Sequence, residues 1–136
     1  MSLVLDTSAT VAWVYAEEIT QPIREVFDRV MESGAWVPSL WRLEVANILE
    51  MSIRRGRHDS AFRDATFADL ALLPIRLDLE TADHAWGATA LLASRHQLTL
   101  YDAAYLELAL RRNLPLATLD LELRKAAAVE RVALLG

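Results

Sequence analysis

Short apolar runs alternate along the chain with longer segments whose apolar residues recur every three or four positions. The first run, Ser2 to Leu5, stops at Asp6-Thr7-Ser8. Beyond it Ala9, Val11, Ala12, Trp13 and Ala16 follow a helical spacing, so a strand feeds a helix. Pro22, read as the first helical position, opens a second helix over Ile23 to Met31, with Ile23, Val26, Phe27, Val30 and Met31 on one stripe, and Gly34 ends it. Ala35 to Pro38 predicts a second strand. Ser39 reads as the N-cap of a third helix, which carries Leu40, Leu43, Val45, Ile48 and Leu49 to a break at Arg54-Arg55-Gly56.

The second half repeats the alternation. A helix from about Ser60 to Leu73 is stopped by Pro74, Ile75 to Leu77 reads as a strand, and a capping signal at Thr81 or Glu80 starts a long helix reaching about His96. Tyr101 to Arg112 is strongly helical, Leu114 to Thr118 a strand with Pro115 near its start, Leu119 to Ala128 helical, and Arg131 to Leu134 a last strand. Such alternation predicts a parallel sheet covered on both faces, an α/β sandwich. No internal repeat, low-complexity tract or linker divides it, so a single domain over residues 1–136 is expected.

Composition narrows the chemistry. With 136 residues, 54% of them hydrophobic, the chain can bury a core of its own. The absence of cysteine excludes a disulfide scaffold, a thiolate metal site and a cysteine nucleophile, and fits a cytoplasmic location. Metal ligands must then be oxygen or histidine, and His58, His84 and His96 lack a paired zinc spacing. Met1 to Leu5 has no positive leader, and no apolar stretch approaches the roughly 18 residues of a membrane span, so a soluble protein without a membrane partner is expected. The formal charge of −5 stands against nucleic-acid binding in its simplest form. Lys125 is the only lysine beside thirteen arginines, a choice that suits bidentate phosphate contacts but also follows from base composition.

The acids give that charge a use. In open parallel sheets ligands gather beyond the carboxyl ends of the strands. Asp6 follows the first strand, Asp120 follows Leu116-Ala117-Thr118, and Asp102 heads another helix. Taken singly, each is equally an N-cap or a first-turn acid meeting the helix dipole. Glu44 lies among Trp41, Leu43, Val45 and Ile48; burying an unpaired carboxylate there costs several kcal/mol, which a metal, Arg42 or water would relieve. Ser8 and Thr118 are caps or hydroxyl helpers. Asn47 is one turn past Glu44, and Glu122 reads as a dipole partner. Trp13, Trp36, Trp41 and Trp86 read as core rather than as base-stacking platforms.

The string Val4-Leu5-Asp6-Thr7-Ser8-Ala9, then Val37-Pro38-Ser39-Leu40-Trp41 ahead of Glu44-Val45-Ala46-Asn47, resembles PIN-domain toxins of the VapC type. Leu100-Tyr101-Asp102-Ala103-Ala104-Tyr105-Leu106-Glu107-Leu108-Ala109, followed by Leu116-Ala117-Thr118-Leu119-Asp120, resembles that family's last two acidic segments in order, spacing and flanks. The resemblance spans essentially the whole chain. It implies a PIN-like three-layer α/β/α sandwich with a mainly parallel sheet, and a metal-dependent endoribonuclease. Asp6, Glu44, Asp102 and Asp120 become the catalytic, metal-binding carboxylates, with Ser8 and Thr118 as helpers. It also implies Mg²⁺ or Mn²⁺ as cofactor, RNA as substrate, a cognate antitoxin, and a homodimer.

Oxygen ligands suit those hard cations, which activate water and stabilise the leaving oxygen of a phosphodiester. The four acids supply −4 of the net −5, so bound cations would reverse the local field. Arg54, Arg55, Arg57, His58, Arg95, His96, Arg111 and Arg112 are candidates for flanking RNA, or solvated helix ends. A dehalogenase-like phosphatase would need an Asp where Ser8 stands, and a phospho-receiver would need a suitably placed Lys where only Lys125 exists. The remaining rival is a PIN-like binding module with little or no catalysis.

Overall fold

The computed structural model describes Met1–Gly136. Its central sheet is built from β1 (Leu3–Leu5), β2 (Ala35–Pro38), β3 (Ile75–Asp78), β4 (Leu116–Ala117) and β5 (Leu134–Leu135). The order is β3-β2-β1-β4-β5, and every pairing is parallel. β1 is central and wholly buried, which is why Leu3, Val4 and Leu5 run apolar without alternation.

Connections lead outward in both directions from β1. α1 (Thr7–Val14) and α2 (Gln21–Ser33) carry the chain to β2, and α3 (Trp41–Arg54) and α4 (Ser60–Ala71) carry it to β3. It then returns through α5 (Thr81–His84), α6 (Ala88–His96) and α7 (Leu100–Arg112) to β4, and through α8 (Leu121–Val129) to β5. Right-handed crossovers therefore place α1 to α4 on one face and α5 to α8 on the other. The strand order reverses between β1 and β4, and such a switch point opens a crevice at the strands' carboxyl ends. The expected α/β sandwich is the observed fold, and its sheet is entirely parallel.

Local chemistry explains most boundaries. Thr20 caps α2 by accepting from the Ile23 N–H, and the helix buries Ile23, Val26, Phe27 and Val30. Each such side chain contributes about 1.5–3 kcal/mol when fully buried. Trp13 stacks on Phe27 with ring centroids 4.6 Å apart, fixing α1 against α2. Gly34 turns α2 into β2 at φ +78°, and a Cβ there would meet the Pro74 carbonyl oxygen at 2.9 Å, so only glycine fits.

Four local expectations need correction. Pro22 is the second helical residue, behind Gln21. Ser39 is not an N-cap: Leu40 holds that position, and the Ser39 N–H donates to Thr81 Oγ1 at 3.1 Å, tying the β2–α3 turn to α5. The long helix expected from Thr81 to His96 is two, α5 and α6, broken at Trp86-Gly87, where Gly87 adopts φ −116°, ψ −110°. The last strand is Leu134–Leu135, because Arg131 takes a left-handed turn conformation at φ +61°.

Candidate active site

β1 delivers Asp6 to the crevice, and Asp6 caps α1 while remaining 96% covered, with 4% of its surface exposed. Its Oδ2 accepts from Ser8 Oγ at 2.6 Å and from Thr118 Oγ1 at 2.8 Å. Each hydroxyl has one hydrogen and spends it on Asp6, while its lone pairs take backbone donors from the segment after β4. Leu119 N–H donates to Ser8 Oγ at 2.9 Å and Asp120 N–H to Thr118 Oγ1 at 3.1 Å. Ser8 and Thr118 therefore bridge the two halves of the chain across the switch point. Asp120 in turn caps α8, its Oδ1 accepting from Leu123 N–H at 3.0 Å.

Glu44 enters from the first turn of α3, half-buried. Its Oε1 accepts from Tyr105 OH at 2.6 Å and from Thr7 Oγ1 at 3.0 Å. Thr7 and Tyr105 are themselves 2.8 Å apart, and Tyr105 is fully buried at the centre of α7. Asp102 lies one turn ahead of Tyr105, in the first turn of α7, which Thr99 caps through the Asp102 N–H.

Electrostatics links these groups. Burial pushes the Asp6 carboxyl above its ordinary value; the Ser8 and Thr118 hydroxyls pull it back, and the charge of Glu44 adds to the rise. Burial also raises Asp102, reinforced by the charges of Asp120 and then Asp6. Repulsion thus runs through all four acids, with no cation bonded to any of them. On Asp6, Glu44 and Asp120 one oxygen is held by protein donors, while Asp6 Oδ1, Glu44 Oε2 and Asp120 Oδ2 receive none and are not sealed from solvent. The all-oxygen donor set and uncompensated charge fit Mg²⁺ or Mn²⁺. As the side chains stand, however, no three acids or histidines share one ion's coordination sphere. The one acidic metal site expected from the sequence is thus present as four charge-coupled carboxylates and not as a ready-made coordination sphere.

Residues 3–129 match the profile of the PIN domain. The chain belongs to the PIN domain family. PIN domains are in general metal-dependent nucleases, and nuclease activity is what membership points to. The crystal structure of PAE2754 from Pyrobaculum aerophilum is similar, with a TM-score of 0.68 and 22% identity, over 93% of this chain and 84% of that one. At that identity the likeness shows the fold. No curated protein matches the chain.

In this PIN domain most basic candidates for RNA contact already have partners. Arg111 binds Asp78 and Glu107, Arg95 and His96 bind Glu130, and Arg54 pairs with Glu50. Arg112 stacks on Trp36 at 3.5 Å, and Arg57 lies over Tyr15 at 5.8 Å. His58 bonds Ser52 and stacks against Tyr15 and Phe62. Arg55 and Arg42 are exposed without an ion pair, and Arg42, two residues before Glu44, lies beside the apolar residues between α3 and α4. Asn47 points to the surface, and Glu122 pairs with Lys125 at 3.4 Å. Trp41 is core and donates from Nε1 to Thr10, but Trp86, expected to be buried, is 98% exposed at the helix break. Thr7 and Tyr105 carried no expectation. Their only sequence signal is a hydroxyl within otherwise apolar positions flanking Asp6 and Asp102.

Proposed function

We propose that this PIN domain is the toxin component of a type II toxin–antitoxin system, of the VapC type, and an endoribonuclease that hydrolyses RNA phosphodiester bonds with Mg²⁺ or Mn²⁺. The observation that carries the reading is the convergence of Asp6, Glu44, Asp102 and Asp120 at the β1/β4 switch point, each presenting at least one oxygen free of protein donors. Bound divalent ions supply a water activated for attack on phosphorus and a positive charge for the leaving oxygen.

The chain's own part is positioning. Asp6 and Asp120 are the main anchors: Ser8 and Thr118 hold Asp6, and backbone bonds to the same hydroxyls fix the segment that carries Asp120. Glu44 and Asp102 complete the set from the starts of α3 and α7.

A cognate antitoxin and a homodimer belong to the same proposal. Supporting a protein partner, α3 and α4 enclose an apolar groove of about 370 Å³ with Trp41, Val45, Phe67, Leu70 and Leu77 among its lining. No helix is long and apolar enough to cross a membrane, and a cytoplasmic location remains part of this proposal.

Incubation of a mixed cellular RNA pool with purified, antitoxin-free protein and Mg²⁺ or Mn²⁺ tests the reading. Discrete fragments are expected, lost with EDTA and with Asp6→Asn. A folded, metal-binding protein that cuts no RNA would instead be a binding module.

A further inference from the structure

Tyr105 spends its hydroxyl in an unusual place for a core aromatic. A phenylalanine would fill the same fully buried volume with no polar atom to satisfy, yet Tyr105 reaches from α7 to Glu44 on α3 and Thr7 on α1. Two hydroxyl hydrogens serve three short contacts, and an ionised carboxylate only accepts. The 2.6 Å bond to the carboxylate is the shortest and charge-assisted, so it takes the tyrosine hydrogen; the Thr7 hydrogen faces the same Glu44 Oε1 at 3.0 Å. Both donors end on one oxygen, and Oε2 is left unclaimed.

Building on the metal-nuclease reading, we propose that Tyr105, assisted by Thr7, is a positioning residue that pins Glu44 Oε1 and so presents Oε2 alone to a divalent cation. Three helices meet at this one carboxylate oxygen, and the orientation of Glu44 is thereby set by tertiary packing rather than by its own helix. The arrangement matches the way Ser8 and Thr118 occupy Asp6 Oδ2 and leave Oδ1 open. Outer partners of metal-ligating carboxylates act in this way, and losing one costs about 10–100-fold in metal affinity.

The test is titration of the purified protein with Mn²⁺, paired with thermal melts in EDTA and in saturating Mn²⁺. Tyr105→Phe is expected to weaken Mn²⁺ binding about 10–100-fold and to shrink the Mn²⁺-induced rise in Tm. Thr7→Val is expected to weaken it less, and Thr7→Ser, which keeps the hydroxyl, to bind as the wild type does. Wild-type Mn²⁺ affinity in Tyr105→Phe, with Tm lowered equally with and without the ion, would make the tyrosine merely structural and overturn the assignment alone. Failure of the wild type itself to bind Mn²⁺ would overturn the metal-site reading and this assignment with it. Should Tyr105→Phe not fold, the Thr7→Val and Thr7→Ser pair decides: affinity lost with the hydroxyl supports the proposal, and equal affinity overturns it.

Discussion

Two groups of buried and half-buried acids lie in this molecule, and they are treated in opposite ways. At the outer edge of the sheet, Asp78 and Glu107 clasp the guanidinium of Arg111, with bonds of 2.6 Å to Asp78 Oδ2 and 2.8 Å to Glu107 Oε2. At the β1/β4 switch point, Asp6 and Glu44 receive only hydroxyl and backbone donors, and no cation pairs with either. Burial works to raise both Asp78 and Asp6. The Arg111 and Thr81 hydrogen bonds outweigh it and hold Asp78 below the ordinary carboxylate range, whereas the hydroxyls at Asp6 do not. An acid given its own cation ties β3 to α7 and is finished. An acid given only neutral donors is oriented but still short of positive charge, which leaves it chemically available.

The largest effect that would break this contrast is catalytic. Asp6→Asn is expected to reduce metal-dependent RNA cleavage by more than about 100-fold, since even outer partners of a metal cost 10–100-fold. Asp78→Asn should leave the rate per folded molecule unchanged, and single-turnover assays of both variants compare them directly. Next comes stability. Arg111→Met strands two buried carboxylates and is expected to cost about 3–5 kcal/mol by urea unfolding, with Mn²⁺ affinity unaltered. Changing Asp78 and Glu107 to their amides in the same chain should recover much of that loss.

Metal addition sharpens the difference further. Mn²⁺ at about a hundred times its dissociation constant is expected to stabilise the wild type by about 2.7 kcal/mol, and Asp6→Asn by much less, in parallel melts.

The smallest effect is on pH dependence, and its sign differs between the two groups. Asp6 and Asp102 are raised above 3.8, so in EDTA their contribution to stability is full below that pH and fades as pH rises through their folded values. Asp78 is lowered from 3.8, so its contribution is present above that pH and is lost as pH falls through its folded value. Urea unfolding of Asp102→Asn should therefore show a weaker decline on the higher-pH side, and Asp78→Asn a weaker decline on the acid side. Saturating Mn²⁺ should flatten only the first.

Much of the fold was legible because it rests on local rules. The apolar runs at Leu3–Leu5 and Ala35–Pro38, the stripe Ile23–Val30, and the breaks at Gly34, Gly56 and Pro74 each report on their own neighbourhood. The expectations that failed depended on distant partners. Ser39 has the chemistry of a cap, yet its N–H is claimed by Thr81, 42 positions away. The single helix expected over Thr81 to His96 has a continuous helical pattern, and only the path from β3 back over the sheet makes Gly87 a corner. Trp86 is apolar by composition and exposed by position.

The candidate site divides in the same way. Sequence order and flanking residues single out Asp6, Glu44, Asp102 and Asp120, and motif resemblance alone names them, because an acid after a strand or at a helix start leaves a local trace. Nothing local reveals that Arg111 belongs to Asp78 and Glu107 instead of to RNA, or that Tyr105 and Thr7 hold Glu44 across 61 and 37 residues of chain. By itself, then, the sequence determined the elements, their alternation and the inventory of acids, since these follow from periodicity and side-chain chemistry. Only the tertiary structure decided which acid receives a cation and which oxygen of each acid stays free, because a hydrogen-bond donor is defined by where the fold brings it.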